Sequence, residues 1–144
     1  MLRKSSLFLL FFVLSLQVFA QKKDDILGKW ISASGEGQIE IYKRGDKYFG
    51  KLAWIKQPND ENGKPRTDDK NPNENLRNKP ILGLEILKNF VFEDAKWQDG
   101  TIYDPKSGKT YSCKLTLKDA NQLSIRGYIG VSLIGRTEVW KRIK

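Results

Sequence analysis

Seventeen carboxylates, five tyrosines, four tryptophans and twenty-six cationic side chains are the groups in this 144-residue chain that can do chemistry, and no histidine joins them. Without an imidazole there is no Ser-His-Asp or Cys-His nucleophile pair and no His-bearing zinc or haem site. A single cysteine, Cys113, excludes a CxxC redox pair, a Cys-only zinc site and an internal disulfide. What remains is acid–base work by paired carboxylates, or recognition by Arg, Tyr and Trp. For the first, Asp104 with Glu138 or Asp68 is the candidate pair, because two carboxylates with separated pKa values suffice for hydrolysis. No spacing brings two of them together, so no residue is given a catalytic role. The acidic group Asp60, Glu61, Asp68, Asp69 and Glu74 invites a calcium reading. Setting Gly63 at the invariant glycine of an EF-hand loop puts Pro58 at the first ligand position, where a side-chain oxygen is needed. No metal or cofactor is therefore assigned.

The recognition residues lie on runs of period two. Arg126 and Tyr128 share one strand face, and Arg136, Glu138, Trp140 and Arg142 share another. Inside a barrel mouth, with Trp54, Tyr103 and Asp104, they would hold a small anionic or lipid-like ligand by charge-assisted hydrogen bonds and stacking. On an outer face the arginine stems would simply cover tryptophan. Period two alone leaves the choice of face open. Asp104 also has a plainer role, since Tyr103-Asp104-Pro105-Lys106-Ser107-Gly108 carries the residues of a tight hairpin turn. Cys113 sits on the apolar side of its run and reads as a buried small hydrophobe. The glycine-punctuated stretch from Gly127 to Gly135 reads as an apolar connection packed under the barrel. Its alternative is an exposed patch that meets an envelope partner or a membrane.

These residues need strands to hold them. Apolar and polar residues alternate over 38–43, 48–55, 111–118, 123–126 and 137–143. Arg44-Gly45-Asp46, Gln98-Asp99-Gly100, Pro105 to Gly108 and Asp119-Ala120-Asn121 are turn signals between such runs. Short strands joined by tight turns in one domain predict an antiparallel sandwich or barrel. Residues 57–79 break the rhythm, with Leu76 the only aliphatic side chain. Within them Asn71-Pro72-Asn73-Glu74 predicts a helix capped by Asn71, running about two turns through Arg77 and stopping before Pro80. A long polar loop with an embedded helix predicts an ordered lid over 57–80, with Asp68, Asn71 and Arg77 turned into the mouth.

Residues 1–20 read as a cleaved signal peptide. Arg3 and Lys4 precede the apolar run Leu7 to Leu14, and Val18-Phe19-Ala20 offers a signal-peptidase site before Gln21. Ser15 and Gln17 make the segment too short for a membrane span. No Cys follows Ala20, which argues against a bacterial lipid anchor. The expectation is a periplasmic or secreted domain over 21–144 with no transmembrane segment. Its net charge falls from +9 to +7 because Arg3 and Lys4 leave with the signal. The lysines are scattered, and an exported chain rarely meets nucleic acid, so no nucleic-acid partner is expected.

Several motifs, in order along almost all of residues 21–144, point one way. They are Gly28-Lys29-Trp30, Asp68-Asp69-Lys70-Asn71-Pro72, Leu76 to Gly83, Gly100 to Pro105 with Gly108 and Tyr111, Arg126-Gly127-Tyr128, and Gly135-Arg136 through Trp140-Lys141-Arg142. Together they resemble the family catalogued as domain of unknown function 2147 (DUF2147), found in exported bacterial proteins. That resemblance implies no established activity and carries no catalytic residue. Gly28-x-Trp30 with a basic residue on the last strand is also similar to the lipocalin, or calycin, arrangement. It implies that an arginine lies across Trp30 and closes one end of the barrel, Arg142 first and Arg136 second. The expected fold is all-β: one antiparallel lipocalin-like barrel of about eight strands with a short helix in its lid. The expected function is non-enzymatic binding of a small ligand. The alternatives are an envelope interaction protein and a carboxylate-dependent hydrolase.

Overall fold

The computed structural model describes residues 21–131 and 133–144, so the expected signal peptide lies outside the described residues. Eight antiparallel strands form a closed barrel in chain order: β1 (Gly28–Ile31), β2 (Gly37–Arg44), β3 (Lys47–Ile55), β4 (Glu85–Glu93), β5 (Lys96–Asp104), β6 (Lys109–Asp119), β7 (Gln122–Tyr128) and β8 (Gly135–Arg142). Pairing Trp30 with Arg142 and Ile31 with Lys141 joins the last strand to the first, which removes the exposed sheet edges. The alternating runs read from the sequence fall in β2, β3, β6, β7 and β8. On β6, Cys113, Leu115 and Leu117 are buried, as their shared face requires.

Two strands obey other rules. β4 buries both Ile86 and Leu87, and Asn89 has φ 64°, so its alternation is broken by an irregular register against β3. In β5, Gln98-Asp99-Gly100 is not a turn as expected. Asp99 has φ 61° and lies where the register against β6 slips between Trp97 and Gly100, which makes it a bulge inside the strand. The actual β4–β5 turn is Asp94-Ala95, both left-handed at φ 53° and 58°, the backbone of a type I′ hairpin. Gly100 is obligatory for a separate reason: a Cβ there would stand 2.5 Å from the Phe90 ring, which is fully buried.

The core fills one end of the barrel. Trp30, Trp97, Phe90, Leu115, Leu117 and Leu123 are buried there, with Ile26 below them. Trp30 and Trp97 each remove roughly 200 Å² from water, an upper bound of about 5 kcal/mol apiece. The chain preceding β1 seals this end. Trp97 donates to the Lys23 carbonyl at 3.0 Å, the Tyr48 hydroxyl to the Asp24 carboxylate at 2.6 Å, and Trp30 to the Ile26 carbonyl at 2.9 Å. The Arg142 guanidinium lies over the Trp30 ring, 4.2 Å from its centroid, and donates to the carbonyls of Asp25, Leu27 and Ala120.

Replacing Arg142 with Ala leaves those three carbonyls without their donor and uncovers Trp30. Each buried acceptor so orphaned costs about 1–3 kcal/mol, and partial water access here brings the expected loss to about 2–4 kcal/mol in urea unfolding. Cys113 provides a second readout, because burial pushes its thiol up to about 12 and keeps it protonated and shielded. The native protein should resist a thiol reagent such as DTNB, and Arg142→Ala should label faster in proportion to its lost stability. An unchanged midpoint and labelling rate would sink this account of the closed end.

Candidate functional site

The other half of the barrel is hollow. Its cavity has a volume of about 840 Å³ and opens at the end opposite Arg142. Ile39, Leu52, Ile86, Ile102, Ile125 and Trp140 form the apolar wall, while Tyr103, Tyr111, Tyr128, Arg136 and Glu138 supply the polar groups. Strand periodicity explains both sets. On β7, Leu123, Ile125 and Gly127 alternate inward; on β8, Arg136, Glu138 and Trp140 do so. Gly127 leaves free space, since the nearest atoms to a Cβ there are Ile102 at 3.8 Å and Tyr111 at 3.9 Å.

Of the residues proposed from the sequence, Tyr103, Asp104, Tyr128, Arg136 and Trp140 border the cavity. Four others do not. Trp54 is 41% exposed on the outside, because Ala53 is an additional residue opposite the Gln38–Ile39 step. That bulge turns Trp54 outward and Ile55 inward, reversing the face period two implies. Arg126 points out from β7, donating to Thr137 Oγ1 at 2.9 Å and to the Leu133 carbonyl. Asn71 and Arg77 belong to the 57–80 segment, where the Arg77 side chain donates to the Asn71 carbonyl at 2.7 Å.

That segment is a strap beside the mouth and not a lid over it. Its helix is one 3₁₀ turn, Glu74–Leu76, capped by Asn73, shorter than the two turns expected. The Asn71 side chain is spent on an earlier turn, its amide oxygen Oδ1 accepting from the Asn73 N–H at 2.8 Å. Asp68, also expected to face the mouth, is fully buried under the strap. Its carboxylate accepts from the Tyr103 hydroxyl at 2.6 Å and from the Asn71 amide at 2.8 Å. Burial, then the bond to Asp68, raises the Tyr103 hydroxyl well above its ordinary pKa and keeps it a donor. Gly108 completes the attachment: a Cβ there would meet the Lys70 carbonyl oxygen at 2.0 Å, so the β5–β6 turn and the strap touch backbone to backbone.

Asp104 serves the turn that its sequence suggests. Its oxygens accept from the Lys106 N–H at 3.0 Å and the Ser107 hydroxyl at 2.8 Å. The rim residues that sequence reasoning missed are Glu36 and Lys106, whose side chains form an ion pair at 2.6 Å between the β1–β2 and β5–β6 turns. Turn residues lack periodicity, so no signal pointed to them. Glu138 carried one, standing between Arg136 and Trp140 on a face that proves to be inside. The stretch 129–134 corrects another expectation. Ile129, Val131, Leu133 and Ile134 are 58–89% exposed, not packed under the barrel. Gly135 opens β8 close against the Gly127 carbonyl, which a Cβ there would meet at 2.4 Å, and Ile129 and Ile134 border the cavity while staying largely exposed. Among the described residues, no three Cys, Asp or Glu side chains converge as a metal site, and no helix is long and apolar enough to cross a membrane.

Removing the Tyr103 hydroxyl as Tyr103→Phe takes one of two side-chain donors from a fully buried carboxylate. The expected cost is about 1–3 kcal/mol, concentrated in the strap. Trypsin should then cut the strap's lysines faster while the barrel persists as a resistant fragment. Equal cleavage rates in variant and wild type would show that the contact does not hold the strap.

Comparison with known proteins agrees with this geometry. A solved structure described as "Protein HP1028 from the human pathogen Helicobacter pylori belongs to the lipocalin family" matches with a TM-score of 0.70 over 82% of each chain, at 21% identity. At that identity the likeness concerns the fold. No curated protein matches the chain. The model of the family described as "Uncharacterized protein conserved in bacteria (DUF2147)" covers residues 28–142, from the first residue of β1 to the last of β8, and the chain belongs to that family.

Proposed function

We propose that this protein is an exported, non-catalytic carrier that holds a small amphipathic or anionic, lipid-like ligand inside its barrel. One observation carries the reading: a cavity of about 840 Å³, walled by isoleucine, leucine and tryptophan, open at one end and bordered there by Arg136 and three tyrosines. Ligand sites are commonly of this size and composition, with an apolar wall and few polar groups. The lipocalin-like fold supports it, since barrels of eight strands enclose room for one small ligand. The hydrolase alternative has less support, because Asp104 is committed to its turn and Asp68 to Tyr103 and Asn71. The envelope-contact alternative draws on the exposed apolar side chains at 129–134, which stand beside the mouth and would serve a carrier that takes its cargo from a membrane. Export rests on the sequence of residues 1–20, and the protein recovered from its host should begin at Gln21.

Gly127→Phe tests the cavity directly. The position accepts a Cβ without collision and faces the hollow, so the ring should fill it while the fold survives. Binding of N-phenyl-1-naphthylamine, followed by its fluorescence, should weaken at least about tenfold in the variant with little change in thermal midpoint. Native mass spectrometry of wild type from its own envelope should show a bound small molecule that Gly127→Phe lacks. Failure of wild type to bind any apolar probe would remove the carrier reading.

A further inference from the structure

A second cavity, of about 480 Å³, lies beneath the strap and shares a wall with the first. Glu36, Ile55, Pro105 and Lys106 line both, so the Glu36–Lys106 ion pair stands at the partition between them. The two chambers differ in chemistry. The barrel chamber is mostly aliphatic and aromatic, whereas the second is bordered by Lys56, Arg66, Lys70 and Lys106. Three carboxylates accompany these cations, but two are already engaged. Asp60 accepts from the N–H groups of Asn62 and Lys64 at 2.9 Å each, and Glu36 holds Lys106. Those bonds orient Asp60 and Glu36 without removing their charge, so the border carries four cations against three carboxylates, a net charge of +1. The strap above is fixed by Tyr103–Asp68 and by the Gly108–Lys70 approach, so the cations are presented on ordered backbone.

We infer that this second chamber is the headgroup site of a single-chain amphiphile whose tail occupies the barrel, and that the headgroup is an anionic phosphate or carboxylate held by Lys56 and Lys106. The inference rests on the carrier reading and adds the chemical class of the ligand. The Glu36–Lys106 pair acts as the latch. Both side chains are more than half exposed, and ion pairs so placed are worth little, so an incoming anion can replace Glu36 on Lys106 at small cost. Opening that contact joins the chambers into one elongated site, apolar at one end and cationic at the other.

The test compares two ligands with one tail: oleoyl-lysophosphatidate and mono-oleoylglycerol, which differ in the phosphate. Below their critical micelle concentrations, wild type should bind the phosphate-headed ligand at least about tenfold tighter, the effect of one or two charge-assisted hydrogen bonds. Lys56→Ala with Lys106→Ala should collapse that ratio towards one. Glu36→Gln, which frees Lys106 without removing a cation, should raise the ratio several-fold, a result that a merely structural ion pair would not produce. Equal binding of the two ligands by wild type, or a ratio that survives the double substitution, overturns the headgroup site and leaves the carrier reading standing. Glycerol phosphate binding as tightly as the lysolipid would show a site for a free anion and also overturn it. Binding of neither lipid, with no apolar probe bound, removes both.

Discussion

The closed end of the barrel depends on one short run of chain, four of its acceptors backbone carbonyls and the fifth the Asp24 carboxylate. From Lys23 to Leu27, five consecutive residues each accept a hydrogen bond from a side chain of the barrel: Trp97, Tyr48, Arg142, Trp30 and Arg142 again. Trp and Arg side-chain nitrogens are donors that must be satisfied when buried, and a short turn, closed by Asp25 N–H to the Lys22 carbonyl and Leu27 N–H to the Asp24 carbonyl, offers the acceptors. The arrangement therefore solves two problems together. It satisfies the polar ends of the largest core side chains, and it plugs an end that strand closure alone leaves open. With that end filled, the remaining hollow has one exit, and every group placed at the opposite rim becomes part of a mouth.

How much of this is legible in the sequence follows from where alternation survives. Leu115 and Leu117, or Leu123 and Ile125, announce their faces because nothing interrupts the period of two. Trp54 does not, because Ala53 inserts one residue and reverses the face beyond it. Asp99 misleads in the same way: a residue that tolerates φ 61° suits a bulge as well as a turn, and composition does not distinguish them. The site divides likewise. Arg136, Glu138 and Trp140 share a readable face, and closure of β8 onto β1 decides that it points inward. Glu36 and Lys106 meet across 70 residues of chain, a relation that no local pattern encodes.

The strap shows why a polar segment can be ordered without a core of its own. It buries one carboxylate, Asp68, and directs a tyrosine hydroxyl and an amide at it. Such a contact is stable only while both donors are present, since an unpaired buried charge is far costlier than an exposed one. Short bridges, Asn59 to Pro65 and Thr67 to Pro80, divide the remainder into small closed loops with little entropy left to lose. Residues of this segment line the second chamber and none of them lines the first.

The missing histidine acquires a definite meaning in this setting. Recognition built from Lys, Arg and Tyr changes charge far from neutral pH, whereas an imidazole would titrate within it. The hydrogen bond and charge of Lys106 hold the Glu36 carboxyl below its ordinary pKa, so the latch also keeps its ionic character as the medium acidifies moderately. In the proposed carrier, the recognition side chains themselves would supply no release switch near neutral pH. For the amphiphile carrier proposed above, release would come from competition for Lys106, from ionic strength screening the exposed cations, or from a surface that accepts the tail. The apolar side chains exposed at 129–134, set against the same mouth, place the last of these within reach of the site itself.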